Sequence, residues 1–86
     1  MPTISVFFGI FIRMYFNDHA PPHFHAIYGD NEAVIVIEDL AVREGSLPRR
    51  ALSLVREWAE LHRGELQADW ELCRARQTPL QIAPLE

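Results

Sequence analysis

The chain has 86 residues, of which 49% are hydrophobic and 23% charged, as is typical of a single small globular domain, here residues 1–86. The formal net charge of -4 argues against a protein that coats nucleic acid through a broad basic surface, although a local basic site is compatible with it. The single cysteine, Cys73, excludes an internal disulfide and a cysteine-based zinc site, and it fits a reducing compartment such as the cytoplasm.

The first segment with a clear pattern, residues 3–16, is rich in β-branched and aromatic residues and is predicted to be strand. Gly9 marks either a bulge in one long strand or the tip of a tight hairpin. The even positions are all apolar and are predicted to face the core: Ile4, Val6, Phe8, Ile10, Ile12, Met14 and Phe16. The segment is too short for a membrane span and lacks a signal-peptide pattern, so we expect no membrane association.

Further strands are predicted up to about residue 43. Residues 17–22 contain Asn-Asp and two prolines, which favour a loop, and residues 23–28 then form the next strand. A turn at residues 29–31 leads into residues 32–37, which are apolar on both faces, and residues 40–43 add a short strand. The first half is therefore predicted to be a mostly antiparallel meander of four to five strands.

The apolar spacing changes after Gly45 to intervals of three and four, which predicts an amphipathic helix. Ser46 is the expected N-cap, with Pro48 in the first turn. The apolar positions continue past Gly64, so we predict one long helix to about Arg74, with a kink at Gly64 as the alternative. Residues 79–84 alternate and predict a short terminal strand, which makes the fold class α+β.

Titratable residues are concentrated in the loop and strand of residues 18–25. His23 and His25 are predicted to project from one face of the strand, with Phe24 pointing into the core, and Asp18 and His19 lie just before them. Three interpretations remain open. A divalent metal such as zinc, manganese or iron is bound by His19, His23, His25 and Asp18; the imidazoles act as acid and base on a phosphodiester; or the histidines are structural.

Arginine and tyrosine side chains are expected to extend this site. If the strand ending at Phe16 pairs with the next one so that Tyr15 opposes His23, then Arg13 opposes His25 and can stabilise negative charge on a phosphate. Tyr15 would support His23 and His25 in catalysis. Arg49 and Arg50, at the predicted helix start, are candidate substrate-binding residues because basic residues are uncommon there.

Several motifs together resemble the bacterial domain of unknown function 4160 family. They are the opening Met-Pro-Thr-Ile-Ser, Ile12-Arg13-Met14-Tyr15-Phe16, Asp18-His19, Pro21-Pro22-His23-Phe24-His25-Ala26, Tyr28-Gly29, Leu47-Pro48-Arg49-Arg50-Ala51 and Glu57-Trp58-Ala59-Glu60-Leu61-His62-Arg63. The resemblance implies a small bacterial protein that is often encoded beside another small protein, in pairs that look like toxin–antitoxin modules.

The residues and the resemblance together lead to one functional hypothesis and one alternative. We expect the toxin-side protein of such a pair, a ribonuclease or phosphodiesterase that acts on RNA or a nucleotide phosphodiester through His23 and His25. The alternative is a non-enzymatic metal-binding or protein-interaction module with a regulatory role. The expected partners are a small cognate protein and RNA, and an exposed strand edge would permit a homodimer.

Overall fold

The computed structural model describes residues 2–86, which form five strands and two helices. These are β1 (Thr3–Phe7), β2 (Ile10–Arg13), β3 (His23–Tyr28), β4 (Asn31–Val36), β5 (Val42–Gly45), α1 (Arg49–Leu61) and α2 (Arg63–Arg74). The strands form one antiparallel sheet in chain order. The prediction of an α+β fold with an antiparallel meander is confirmed, with five strands.

The first two strands form a tight hairpin. Phe8 and Gly9 have φ angles of 50° and 78°, and Phe7 lies opposite Ile10. Two consecutive residues with positive φ form the turn that best matches the twist of paired strands, and glycine adopts such angles without steric cost. Gly9 therefore lies at the tip of a hairpin and not at a bulge in one long strand.

The predicted alternation of buried residues holds for only part of this hairpin. Ile4, Ile10, Ile12 and Met14 are buried as predicted. The prediction is wrong for Val6, Phe8 and Phe16, which are 47%, 59% and 45% exposed. The pairing of β1 shifts between Thr3 and Ser5, and such an irregularity moves the following residues to the opposite face. Ser5 and Phe7 are buried in consequence.

The helices differ from prediction at both ends of α1. Helix α1 starts at Arg49 with Pro48 in the N-cap position, so the prediction of Ser46 as N-cap is wrong. The backbone N–H of Ser46 instead donates to the carbonyl of Glu32 in β4, at 3.1 Å. This bond fixes the chain where it leaves the sheet for the helix.

The prediction of one long helix is wrong, because α1 and α2 are separated at His62. His62 has φ -123° and ψ 25°, and its backbone N–H donates to Ala59, three residues back. The side chain of His62 bonds to Glu65, whose negative charge is favourable in the first turn of α2. Gly64, the expected site of a kink, lies inside α2.

The C-terminal segment packs along β1 without becoming a strand. Residues 77–86 have no assigned secondary structure, so the predicted terminal strand is wrong. One backbone bond joins the segment to the sheet, from Ile82 N–H to the Ile4 carbonyl at 2.8 Å, and the Gln81 side chain donates to the Thr3 carbonyl. Ile82 is buried, and the segment therefore covers the outer edge of β1.

The core lies between the helices and one face of the sheet. The Trp58 ring of α1 contacts Phe7 and Phe24 at centroid distances of 5.3 and 6.0 Å, and its indole N–H donates to the Ala83 carbonyl. Trp70 of α2 reaches His23 at the start of β3, at 5.1 Å. Neither helix in the described part of the chain has the length and apolar character needed to cross a membrane.

Candidate functional site

Strand β3 places the two predicted histidines side by side. Phe24 is fully buried in the core, whereas the rings of His23 and His25 lie 5.4 Å apart on the opposite face. Arg13 of β2 is the Cα partner of His25, so the predicted strand register is confirmed. The Tyr15 ring, just beyond β2, packs against His25 at 4.3 Å.

The loop between β2 and β3 is anchored at both ends and brings Asp18 to the histidines. The backbone N–H of Asn17 donates to the Cys73 carbonyl at the end of α2, and the Pro22 carbonyl accepts from Ile37. Asp18 Oδ2 lies 2.9 Å from His23 Nε2 and 3.5 Å from His25 Nε2. The carboxylate is thus close to both imidazoles.

Asp18 is held in its ionised form by the bonds it accepts. Partial burial acts to raise the pKa of Asp18, but hydrogen bonding, above all from the His19 backbone N–H, outweighs it, so the pKa lies below the usual value for aspartate. The site therefore contains a negative charge directed at two ring nitrogens.

Hydrogen bonding orients the His23 ring. Its Nδ1 lies 2.8 Å from the Pro21 carbonyl, and a carbonyl can only accept, so Nδ1 carries the hydrogen. In the neutral ring, Nε2 then presents a lone pair to Asp18 Oδ2. Two acceptors at 2.9 Å repel each other unless a cation lies there or the ring is protonated.

The same arrangement is found at His25. Its Nδ1 is 2.9 Å from Glu32 Oε2, so the Glu32 carboxylate accepts the Nδ1 hydrogen. The buried Nε2 atom has no hydrogen-bond partner and faces Asp18. A metal-binding histidine usually has this arrangement, in which a carboxylate or a backbone carbonyl accepts the hydrogen of one ring nitrogen and the other nitrogen is left free for the metal.

The ligand atoms of Asp18, His23 and His25 all lie within 4.8 Å of one another. Of the four predicted metal ligands, His19 is the one outside this group, although it lies in the adjoining cavity of about 250 Å³. Two imidazole nitrogens and one carboxylate oxygen are suitable ligands for zinc, iron or manganese.

Arg13 and Tyr15, the two other residues predicted to belong to the site, differ in how they relate to the cluster. Arg13 donates to Thr3 Oγ1 at 3.3 Å and lies 5.6 Å from the Phe11 ring. The pKa of Tyr15 is raised, mainly by burial and also by the nearby Glu32 carboxylate, so the phenol stays neutral. Tyr15 can therefore donate a hydrogen bond beside His25.

Arg49 and Arg50 are not brought to the cluster. Arg50 lines a small cavity with Phe8 and Tyr28, at the other end of β3 from His23. Six residues of strand span about 17 Å, so one small ligand cannot contact both groups. Substrate binding by Arg49 and Arg50 remains a prediction for a separate surface or an extended ligand.

Three elements of the site were missing from the sequence-based prediction. They are the Glu32 carboxylate, the Pro21 carbonyl and the Trp70 ring against His23. Glu32 alone had a usable signal, because a two-residue turn at Gly29-Asp30 pairs Tyr28 with Asn31 and thereby sets Glu32 on the His25 face.

The fold and the cluster together define a small α+β protein with two imidazoles and a carboxylate grouped on its sheet. Residues 9–71, well over half of the chain, match the family described as Domain of unknown function (DUF4160). The chain belongs to this family, as its motifs indicated, and the match contains Arg13, Tyr15 and the whole 18–25 segment. Neither the curated proteins nor the solved structures contain a match.

Proposed function

We propose that this protein binds one divalent metal ion through Asp18, His23 and His25 and uses it in the hydrolysis of a phosphodiester. The observation that carries the proposal is the fixed orientation of both imidazoles. Acceptors at both Nδ1 positions leave the Nε2 lone pairs directed at one ionised carboxylate. A bound metal ion would remove the repulsion among these groups and would satisfy His25 Nε2.

The geometry favours metal binding over metal-free acid–base catalysis. His23 is 6% exposed, its Nδ1 donates to the Pro21 carbonyl, and its Nε2 faces Asp18. A general acid or base must reach the proton that it transfers, and His23 is poorly placed to do so. As a metal ligand, in contrast, a buried and fixed imidazole is favourable.

The metal would supply Lewis acidity and an activated water molecule, as it does in other metal-dependent hydrolases. Hydrolysis adds one water across a P–O bond and yields a phosphomonoester and an alcohol. Tyr15 can donate a hydrogen bond, and Arg13 lies on the neighbouring strand with its permanent positive charge. RNA as the substrate, and a toxin-side role beside a small cognate protein, remain predictions from the gene context of the family.

Metal analysis tests the first part of the proposal. Protein purified without a histidine tag is expected to contain about one metal ion per chain, or to bind one on titration with Zn²⁺ or Mn²⁺. Asp18→Asn and His25→Gln should lose this binding. His62→Gln is the matched control, because His62 also pairs with a carboxylate but lies outside the cluster. Equal metal content in all four proteins would refute the site.

Induced expression and an in vitro assay test the second part. Wild type and His62→Gln are expected to arrest growth and to cleave RNA in the presence of the metal, whereas His25→Gln should do neither. Chelation of the metal should abolish cleavage by the wild type. Growth arrest by His25→Gln equal to that by wild type, or cleavage that survives chelation, would remove the catalytic role.

Exposed apolar residues favour protein interaction as the second candidate function. Val6 and Phe11 are paired across β1 and β2, are 47% and 41% exposed, and lie close to Phe8 at the hairpin tip. Large apolar side chains exposed on neighbouring strands are typical of a docking surface. Phe8→Ser and Phe11→Ser are expected to weaken binding of the co-encoded protein in a pull-down and to leave metal binding intact; unchanged capture by both variants would exclude the patch.

A further inference from the structure

An arginine that no part of the proposed metal site uses lies in the cavity beside that site. The cavity of about 250 Å³ is open to the Asp18, His23 and His25 cluster on one side and to Arg43 and Glu44 of β5 on the other. Its size suits a small anionic group rather than a large organic ligand. Arg13, the arginine expected to bind phosphate, does not line this cavity.

A β-bulge places Arg43 there. Val34 pairs with Glu44 and Ile35 pairs with Val42, so Arg43 is the one extra residue of β5 at this point. In a regular strand, consecutive side chains point to opposite faces, but a bulge allows two neighbours to share one side. Arg43 and Glu44 consequently both line the cavity.

The guanidinium of Arg43 has no partner among the described residues, unlike that of several other arginines. Arg63 pairs with Glu60 near the end of α1, Arg74 pairs with Glu71 within α2, and Arg56 donates to the Leu40 carbonyl. Arg43 has neither an ion pair nor a hydrogen bond from its side chain within residues 2–86. Its five N–H donors are therefore available to an incoming ligand.

We propose that Arg43 binds the phosphate oxygens of the substrate, in the same cavity as the metal site. The inference rests on the proposed metal-binding function and adds the substrate-binding residue and the ligand class. The planar guanidinium matches two oxygens of one phosphate, which the metal would contact from the other side of the cavity. Glu44 in the same cavity disfavours a second negative charge, so the preferred group is a singly charged phosphodiester rather than inorganic phosphate.

Calorimetric titration of the metal-loaded protein tests the proposal. The probes are a DNA dinucleotide, which has one phosphodiester link, and inorganic phosphate. Arg43→Gln is expected to bind the dinucleotide about tenfold more weakly than wild type, since a charged hydrogen-bond pair is lost. Its affinity for Zn²⁺ should be unchanged. Arg76→Gln, which changes an exposed arginine beyond the end of α2 and outside this cavity, is the control and should bind both the dinucleotide and Zn²⁺ as wild type does.

The outcomes separate this inference from the metal proposal. Failure of the wild type to bind a metal overturns the proposed function itself. Normal metal binding with equal dinucleotide affinity in wild type and Arg43→Gln overturns the role of Arg43, as does an equal loss of affinity in Arg43→Gln and Arg76→Gln. Tighter binding of inorganic phosphate than of the dinucleotide overturns the preference for a diester. Loss of dinucleotide affinity in Arg43→Gln alone, with metal affinity intact, supports the assignment.

Discussion

At the scale of single residues, the position of one hydrogen on each imidazole decides what the cluster can bind. The Pro21 carbonyl and the Glu32 carboxylate keep that hydrogen on Nδ1 of His23 and His25. Were the hydrogens on Nε2 instead, the lone pairs would face these acceptors and no metal could be bound between the rings and Asp18. Residues that never touch a metal therefore determine whether one binds.

Removal of the Glu32 carboxylate should weaken metal binding without removing a ligand. Glu32→Ala leaves the His25 ring free to rotate or to adopt the other tautomer, and loss of such a partner typically costs about 10- to 100-fold in metal affinity. The measurement is competitive titration with a zinc chelator. Glu65→Ala, which removes the carboxylate partner of His62, is the control. An affinity change of less than about twofold in Glu32→Ala would contradict the orienting role.

A buried carboxylate away from the site should make stability depend on pH. Asp69 is 2% exposed; Oδ1 accepts the Leu80 N–H, and Oδ2 has no partner. Burial raises the pKa of Asp69, and the Glu65 charge adds to this. The protonated form is thus favoured in the folded state, and this contribution to stability is full below the unfolded-state pKa and lost as pH rises through the folded-state pKa.

Asp69→Asn keeps an acceptor for Leu80 and has no charge to bury. We expect it to raise the melting temperature at pH 7 and to remove part of the decline in stability between pH 4 and pH 7 that wild type shows. Thermal unfolding at several pH values is the measurement. A variant less stable than wild type at pH 7 would show that the ionised carboxylate is stabilising.

At the scale of elements, substitution of glycine by alanine is expected to have opposite effects on the free energy of unfolding at Gly45 and at Gly64. Gly45 at the end of β5 has φ 73°, and a Cβ there would lie 2.0 Å from the Glu32 carbonyl oxygen. Gly45→Ala is therefore expected to lower the free energy of unfolding by more than about 1 kcal/mol. Because Glu32 orients His25, metal affinity should fall as well. Urea denaturation and zinc titration measure the two effects.

Gly64 is the matched case in α2. It has an ordinary helical φ, and a Cβ built on it would meet no atom within 4 Å. Gly64→Ala should raise the free energy of unfolding by about 0.5–1 kcal/mol, because alanine loses less backbone entropy in a helix. Urea denaturation again gives the value, and destabilisation would mean that Gly64 permits motion that the fold requires.

The sequence predicted elements whose pattern is local and missed those that depend on tertiary contacts. The turn at Gly29 and the β3 strand follow from residue type, and so does the common face of His23 and His25. The break at His62 could not be predicted, because apolar residues keep helical spacing on both sides of it. Val6 was wrongly predicted to be buried, because its residue type does not reveal the register shift in β1 between Thr3 and Ser5.

The same distinction explains how much of the site was predictable. Asp18, His23 and His25 lie within eight residues of one another, on one strand and the loop before it, so their proximity follows largely from the local sequence. The bulge at Arg43 depends on how β5 meets β4, and β5 itself begins two residues later than expected because Leu40 adopts a turn with φ 59°. No periodicity in residues 40–45 indicates this.

At the scale of the whole molecule, the C-terminal segment ties distant parts of the chain together. Ile82 is buried against the sheet. The Ala83 carbonyl accepts a hydrogen bond from the Trp58 indole N–H, and Asp69 Oδ1 accepts one from the Leu80 backbone N–H. Ile82→Ala should lower the free energy of unfolding by about 2–5 kcal/mol, as expected for truncation of a core aliphatic residue. Leu80→Ala is the control, since Leu80 is 69% exposed. Equal urea midpoints for the two variants would contradict this role of the segment.

The covered edge of β1 also limits how copies of this protein can add to one another. With Gln81 and Ile82 bonded along β1, the edge of the sheet left open among residues 2–86 is that of β5. An open edge on each side would let molecules add end to end into a fibre, whereas one open edge is used up in a single pairing about a two-fold axis. Strand addition at the β5 edge would therefore end at a pair of molecules.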